Sequence, residues 1–295
     1  MEPTVNRTAH RLAVGVALLL AAVALASCGS GEDETGDKAL KLTFVVGSKG
    51  QATTMNAPTS AEAGLAEITL ENNSAGAADL QLIRVEGDHA TEEVTKAMTD
   101  AVEGKAWPDW FFAAGGVGLT VGGSSSTVTK VLQPGSYYAF NTEKPGTTDE
   151  TEVTGEPSDR ELPEADAVIE AGRDGEYSFT TPVLTAGTAR VIFKNAGEEP
   201  HHLIAAPLVG NSTAEDAERF FKTKQGEPLN EAGFQSTAVL DSGESQLVTL
   251  RLGAGRYALY CLISDRKGGA RHALKGMVDE VQVKEKPKPL ENGSA

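Results

Sequence analysis

The sequence predicts an all-β protein built as two tandem Greek-key β-sandwich domains, each with one short inserted helix. Three observations predict it. Most apolar runs alternate with period two, as Val248, Leu250 and Leu252 do against Thr249 and Arg251, and Gly, Pro and Asn turns separate them. One pattern occurs twice: Ser125–Leu132 followed by Gly135–Asn141 aligns without a gap with Ser245–Leu252 followed by Gly255–Cys261, an offset of 120 positions. Aromatic residues make up 5% of the chain against 32 Gly, which suits sheets and turns better than a helical bundle.

The elements follow in order. In residues 1–27, Arg7 and Arg11 precede an uncharged apolar run from Leu12 to Ala26, the form of a secretory signal and too short for an ordinary membrane span. The end of that run, Leu25-Ala26-Ser27-Cys28, resembles the lipobox of bacterial lipoproteins. The resemblance implies cleavage before Cys28, acylation of its thiol, and anchoring on the outer face of the cytoplasmic membrane, where two or more acyl chains hold firmly. Residues 28–38 are rich in Gly, Asp, Glu and Ser and read as a flexible tether.

Residues 39–145 form the first domain. Ala66–Leu70 reads as a strand there and matches Ala189–Phe193, which runs into the turn Lys194-Asn195-Ala196-Gly197 of the second domain, residues 166–285. Val94, Ala97, Met98, Ala101 and Val102 mark the first inserted helix; Ala217, Phe220 and Phe221 mark the second. Ser212 with Glu215 three residues on predicts a capping box for the latter. Residues 146–165 carry seven acidic side chains, one Arg and two Pro, and read as an acidic linker. Residues 286–295, with Pro287 and Pro289, read as a disordered tail.

The charge balance of −16, from 26 basic and 42 acidic residues, disfavours phosphate backbones and so excludes nucleic acid as a partner. Removing residues 1–27 takes away Arg7, Arg11 and Glu2 and leaves a balance of about −17. After such cleavage Cys261 is the one thiol besides Cys28. In an oxidising compartment an unpaired Cys calls for burial or a metal. Both tryptophans sit in Trp107-Pro108-Asp109-Trp110-Phe111-Phe112, expected to pack over a sandwich edge in preference to forming an exposed partner patch.

The second copy ends in Tyr260-Cys261, then His272, then Gly276-Met277; earlier it carries Asn195-Ala196-Gly197 and Pro200-His201. This ordered set resembles the copper site of plastocyanin-like cupredoxins. The resemblance implies His201, Cys261, His272 and Met277 as ligands of one copper ion: two imidazoles and a thiolate with a weak axial thioether, donors that suit both Cu(I) and Cu(II). His202 competes with His201, but adjacent strand residues point to opposite faces, and the Pro-His order favours His201. Ten residues, Leu262 to Arg271, separate Cys261 from His272, more than the family usually places there, so this loop must bulge outward before returning. The first copy has Asn141 in place of Cys261 and no His at the turn near Asn73, so it is not expected to hold copper. Arg266, Lys267, Arg271 and Lys275, offset by Asp265, read either as a solvated charged loop or as a patch that steers an acidic redox partner.

The function expected is a membrane-anchored, extracytoplasmic copper protein serving electron transfer or copper handling, with a redox or copper-handling protein as partner, and not an enzyme. The alternative keeps the fold without the metal, with Cys261 as an inert buried thiol and the chain as a ligand-binding or interaction module.

Overall fold

The computed structural model describes residues 39–49 and 52–287. The expected signal segment, Cys28, the tether to residue 38 and tail residues 288–295 lie outside the described residues. The first copy comprises β1 (Leu40–Lys49), β2 (Ala52–Asn56), β3 (Ser60–Glu62), β4 (Gly64–Asn72), β5 (Ala78–Val85), α1 (Thr91–Val102), β6 (Phe111–Thr120), β7 (Ser124–Leu132), β8 (Gly135–Phe140) and β9 (Thr148–Thr154). The second comprises β10 (Ala167–Ala171), β11 (Leu184–Thr185), β12 (Gly187–Asn195), β13 (Ile204–Pro207), α2 (Ala214–Thr223), β14 (Gln235–Ser236), β15 (Ser245–Leu252), β16 (Gly255–Tyr260) and β17 (Val278–Lys284). The chain is all-β with two short helices, and among the described residues no helix is long and apolar enough to cross a membrane.

Each copy has its own five-stranded sheet, β3-β9-β8-β5-β6 in the first and β11-β17-β16-β13-β14 in the second. The opposing sheet is shared: seven strands run β10-β12-β15-β7-β4-β1-β2 through both copies. Period-two burial follows the sequence pattern, with Val248, Leu250 and Leu252 buried and Thr249 and Arg251 exposed. One core cluster is continuous through both copies, from Ile68, Leu70, Leu80 and Leu82 to Val191, Phe193, Leu259 and Cys261.

The join explains why the copies do not hang as separate beads. β7 and β15, the strands that the 120-residue offset makes equivalent, pair antiparallel with Leu247 opposite Thr129. The same register sets Thr127, the equivalent of Leu247, against Thr249, the equivalent of Thr129, so a pseudo-twofold axis passes at Val128 and Val248. Each strand covers what would otherwise be the other's exposed edge. Lys130, 2% exposed, crosses the join to pair with Glu244. Also across the join, Gln81 exchanges two bonds with the backbone of Val239, at 2.7 and 3.1 Å.

Three details differ from the sequence reading. Residues 148–154, placed in the acidic linker, form β9, because Thr151 and Val153 face inward while Glu150 and Glu152 face water. The α2 capping box is made by Thr213 and Asp216, one residue beyond Ser212 and Glu215, since the extended Thr213 is the residue whose amide and side chain both meet Asp216. Val102, expected on the buried face of α1, is 40% exposed, whereas Val94, Ala97, Met98 and Ala101 are buried. The aromatic loop packs as expected, with Trp107 and Phe111 buried edge to face.

The backbones of the two copies approach tightly at Gly118 in β6, where a Cβ would lie 1.8 Å from the Ser236 carbonyl oxygen. Gly118→Val is expected to force β6 off β14 and cost about 3 kcal/mol, at the upper end of overpacking penalties. Denaturant unfolding checks this, and a loss under 0.5 kcal/mol in the same approximate reckoning contradicts the close approach.

Candidate metal centre

Three local structures deliver the site. At the end of β12 the Asn195 amide donates to the carbonyls of Glu199 (2.7 Å) and Leu240 (2.9 Å), while its oxygen accepts the Gly197 amide (2.9 Å). The chain therefore reverses, and His201 docks on Leu240 through reciprocal backbone bonds of 3.0 and 2.8 Å. Cys261 directly follows β16, where alternation sends Tyr257, Leu259 and Cys261 into the shared core and Ala258 and Tyr260 toward α2. His272 opens a short 3-10 turn, His272–Lys275, and is fixed when its amide bonds Ile263 O (2.8 Å) and the Ala273 amide bonds Cys261 O (2.8 Å). The ten-residue loop bulges as expected and is closed at its base by an antiparallel bridge between Ser264 and Arg271.

His201, Cys261 and His272 converge, with all three donor atoms within 4.8 Å of one another and all three side chains 0% exposed. The Nδ1 atoms of the two rings are 3.0 Å apart, and Cys261 Sγ lies 3.5 Å from His272 Nδ1. Met277 is fully buried in the core cluster that holds Cys261, with its amide bonded to His272 O at 3.0 Å. His202 points elsewhere, and its Nε2 accepts the Leu262 amide at 2.9 Å.

The outer nitrogen of each converging ring meets a carboxylate: His201 Nε2 is 3.0 Å from Glu176 Oε1, and His272 Nε2 is 3.0 Å from Asp265 Oδ1. Burial raises both acids, but the Glu198 and Glu199 amides and His201 outweigh it at Glu176, and Lys275, Tyr177 and His272 outweigh it at Asp265. Both stay ionised and draw the imidazole proton to Nε2. Each Nδ1 then presents a lone pair into the same dry space, an arrangement that repels itself until a cation sits between the donors. Burial pushes the Cys261 thiol up to about 12, only partly offset by the amides of His202 and Ile263 directed at it, so a metal there must displace its proton. Two imidazoles and a thiolate are a donor set suited to copper.

Glu176 and Tyr177 were not legible as site residues, because they lie in the loop between β10 and β11, far in sequence from His201 and His272, which they meet only in the folded chain. Tyr177 stacks obliquely on His272 with ring centres 5.1 Å apart and donates to Asp265 Oδ1 at 3.0 Å. The expected solvated patch is corrected in part: Lys275 is bonded to Asp265 and Tyr177, and Arg266 is tied to Asp241, Pro108 and Phe111. In the first copy the same backbone frame carries other side chains. Ala78 faces Thr120 as His201 faces Leu240, Asp79 accepts the Thr142 amide as His202 accepts that of Leu262, and Asn141 replaces Cys261.

No family model and no curated protein matches the chain. Solved structures do. The reduced auracyanin of Roseiflexus castenholzii aligns over 40% of this chain and 100% of its own at 16% identity, with a TM-score of 0.30. Auracyanin A of Chloroflexus aurantiacus, described as a blue copper protein, aligns over 39% and 99% at 19% identity, TM-score 0.29. A multicopper oxidase aligns over 83% and 88% at 15% identity, TM-score 0.23. The sequence reading that the chain is not an enzyme is corrected: a multicopper oxidase is among the structures that align with most of the chain, and the exclusion of catalysis is withdrawn. The fold is all-β, and the cluster of His201, Cys261 and His272 is a donor set suited to copper.

The buried rings make the metal-free protein sensitive to acid. Burial, and after it the neighbouring charges, pushes His272 down to about 4 and His202 to about 3. Unfolded histidines take up protons below about pH 6.5 that the native rings refuse, so native stability is lost as pH falls through that window. Asp79, raised to about 6 by burial, acts in the opposite sense, since the native state takes its proton first. Between pH 6.5 and 5 His202 alone costs about 2 kcal/mol. Unfolding free energy is expected to be lower at pH 5 than at pH 7, and His202→Gln is expected to remove about 2 kcal/mol of that difference.

Proposed function

We propose that the protein carries one copper ion on His201, Cys261 and His272, with Met277 as a weak fourth donor, and serves as an extracytoplasmic electron carrier. The observation that carries this reading is the pair of Nδ1 atoms 3.0 Å apart beside a buried thiol, each ring held from behind by a carboxylate. Copper there would alternate between Cu(I) and Cu(II), both of which accept imidazole and sulfur donors. The chain's own contribution is to hold the donors still and dry. Glu176 and Asp265 fix ring tautomer and direction, the Asn195 turn fixes His201, and full burial excludes water from the donor atoms. The metal-free module named as the alternative leaves unexplained why two lone pairs and a thiol share one dry space.

Loading the chain with Cu(II) is expected to give one copper per chain and an intense thiolate-to-copper band in the visible spectrum, both lost in Cys261→Ser. A chain that retains no copper, or a colourless adduct unchanged in that variant, refutes the reading.

The lipobox-like end at Cys28 supports a second part of the proposal: acylation there holds the protein at the membrane, with residues 28–38 as the tether. Cys28→Ala is expected to move the protein from the membrane fraction to the soluble fraction. Unchanged fractionation refutes the anchor.

A further inference from the structure

The long loop between Cys261 and His272 does not stand free. It lies against the segment that joins α1 to β6 in the copy without metal ligands. Arg266 O accepts the Trp107 amide (2.7 Å), and Gly104 O accepts the Gly269 amide (3.1 Å). The Arg266 guanidinium donates to the carbonyls of Pro108 (3.0 Å) and Phe111 (2.9 Å) and pairs with Asp241 at 2.6 Å, while its charge sits 5.7 Å from the Trp107 ring and 5.2 Å from that of Phe112. Asp241 in turn accepts the Ala113 amide of β6 at 2.9 Å. Five interactions to the first copy thus meet on one side chain and its carbonyl, with only 21% of that side chain exposed.

The same residue reaches the metal centre from its other side. Its amide donates to Glu199 Oε2 at 2.6 Å, and the Glu199 amide donates at 2.9 Å to Glu176, the carboxylate behind His201. Its chain neighbour Asp265 is the carboxylate behind His272. Both acids that orient the converging rings are therefore tied to a residue that is clamped by the other copy.

We infer that the first copy acts as the jig for the second copy's metal centre: it docks the Leu262–Arg271 loop through Arg266, a positioning residue, and so sets the direction of His272. The inference rests on the copper reading for its meaning but not for its test. A ten-residue loop closes at little more entropic cost than a short one, but closure alone leaves the returning ligand without a fixed direction. Docking supplies that direction. Lysine cannot replace arginine here, because one ammonium cannot reach two backbone carbonyls and a carboxylate in a planar fork.

The test is amide hydrogen exchange on the metal-free full chain, followed by copper release to a chelator. In Arg266→Ala the amides of Trp107 and Gly269, which report docking, and those of His272 and Ala273, which report the ligand turn, are expected to exchange at least about ten times faster. Amides within β12 and β15 are expected to keep their rates. Arg266→Lys is expected to behave as the alanine variant does. Gly268→Ala tests the same contact without touching a charge, since Gly268 has φ of +77° and a Cβ would meet Gly104 O at 2.9 Å. It decides the matter if Arg266→Ala does not fold. Copper-loaded variants are expected to lose metal to the chelator at least about tenfold faster, on the same opening argument.

Unchanged exchange at Trp107 and Gly269 overturns the inference, and so does opening there while His272 and Ala273 keep their protection. A wild-type chain that binds no copper refutes the copper reading alone, because the exchange result still decides whether the first copy positions the loop.

Discussion

Two imidazole lone pairs and a thiol held in one dry space are the arrangement on which the rest of the site depends. Such a cluster is unfavourable by itself, because burial strips water from three polar groups and offers them only one another. The surrounding structure offsets this from outside. Glu176 and Asp265 take the outer ring nitrogens, and each carboxylate is satisfied in turn, the first by the Glu198 and Glu199 amides and the second by Lys275 and Tyr177. The polar groups form a connected shell around an electron-rich centre, which is what a cation completes.

The internal repeat separates what belongs to the frame from what belongs to the chemistry. Asn72 and Asn195 make the same turn, the first donating to Gly76 O and Thr120 O at 2.8 Å, the second to Glu199 O and Leu240 O. Asp79 and His202 both accept the amide that follows the Cys261 position or its equivalent. The frame thus survives intact in the first copy, where Ala78 and Asn141 stand in place of His201 and Cys261. A capacity to bind metal would therefore rest on a few side chains set on a backbone that folds without them. A degenerate copy can keep its fold and still contribute at the join.

Legibility followed the range of the interactions. Period-two burial, the repeat and the two helices rest on local alternation, which a single sequence carries, and the convergence of His201, Cys261 and His272 was implied by the resemblance of their ordered motifs to a known copper site. What it did not carry acts at long range. The β7 to β15 pairing joins strands 120 positions apart, Gln81 bonds Val239 across 158, and Arg266 bonds Pro108 and Phe111 across comparable distances. Composition misled at β9, where acidic residues mark the solvent face of an edge-side strand as readily as they mark a linker. At Arg266 it also misled, because a cation in a long loop looks solvated until the carbonyls that receive it are located.

The shared sheet and the long loop answer one another. Two sandwiches connected only by a flexible linker would meet in varying orientations, and a loop extended toward a moving neighbour would gain no fixed direction from it. The pseudo-twofold pairing of β7 with β15, the Lys130 to Glu244 ion pair and the close approach at Gly118 remove that freedom. Once the copies are joined through one sheet, the backbone around Gly104 to Phe111 becomes a surface on which the second copy's loop docks. A loop too long to direct His272 by closure alone can then be directed by docking. The long Cys261 to His272 spacing that departs from the family pattern is thus compatible with a well-defined ligand, on the condition that the copies stay fused.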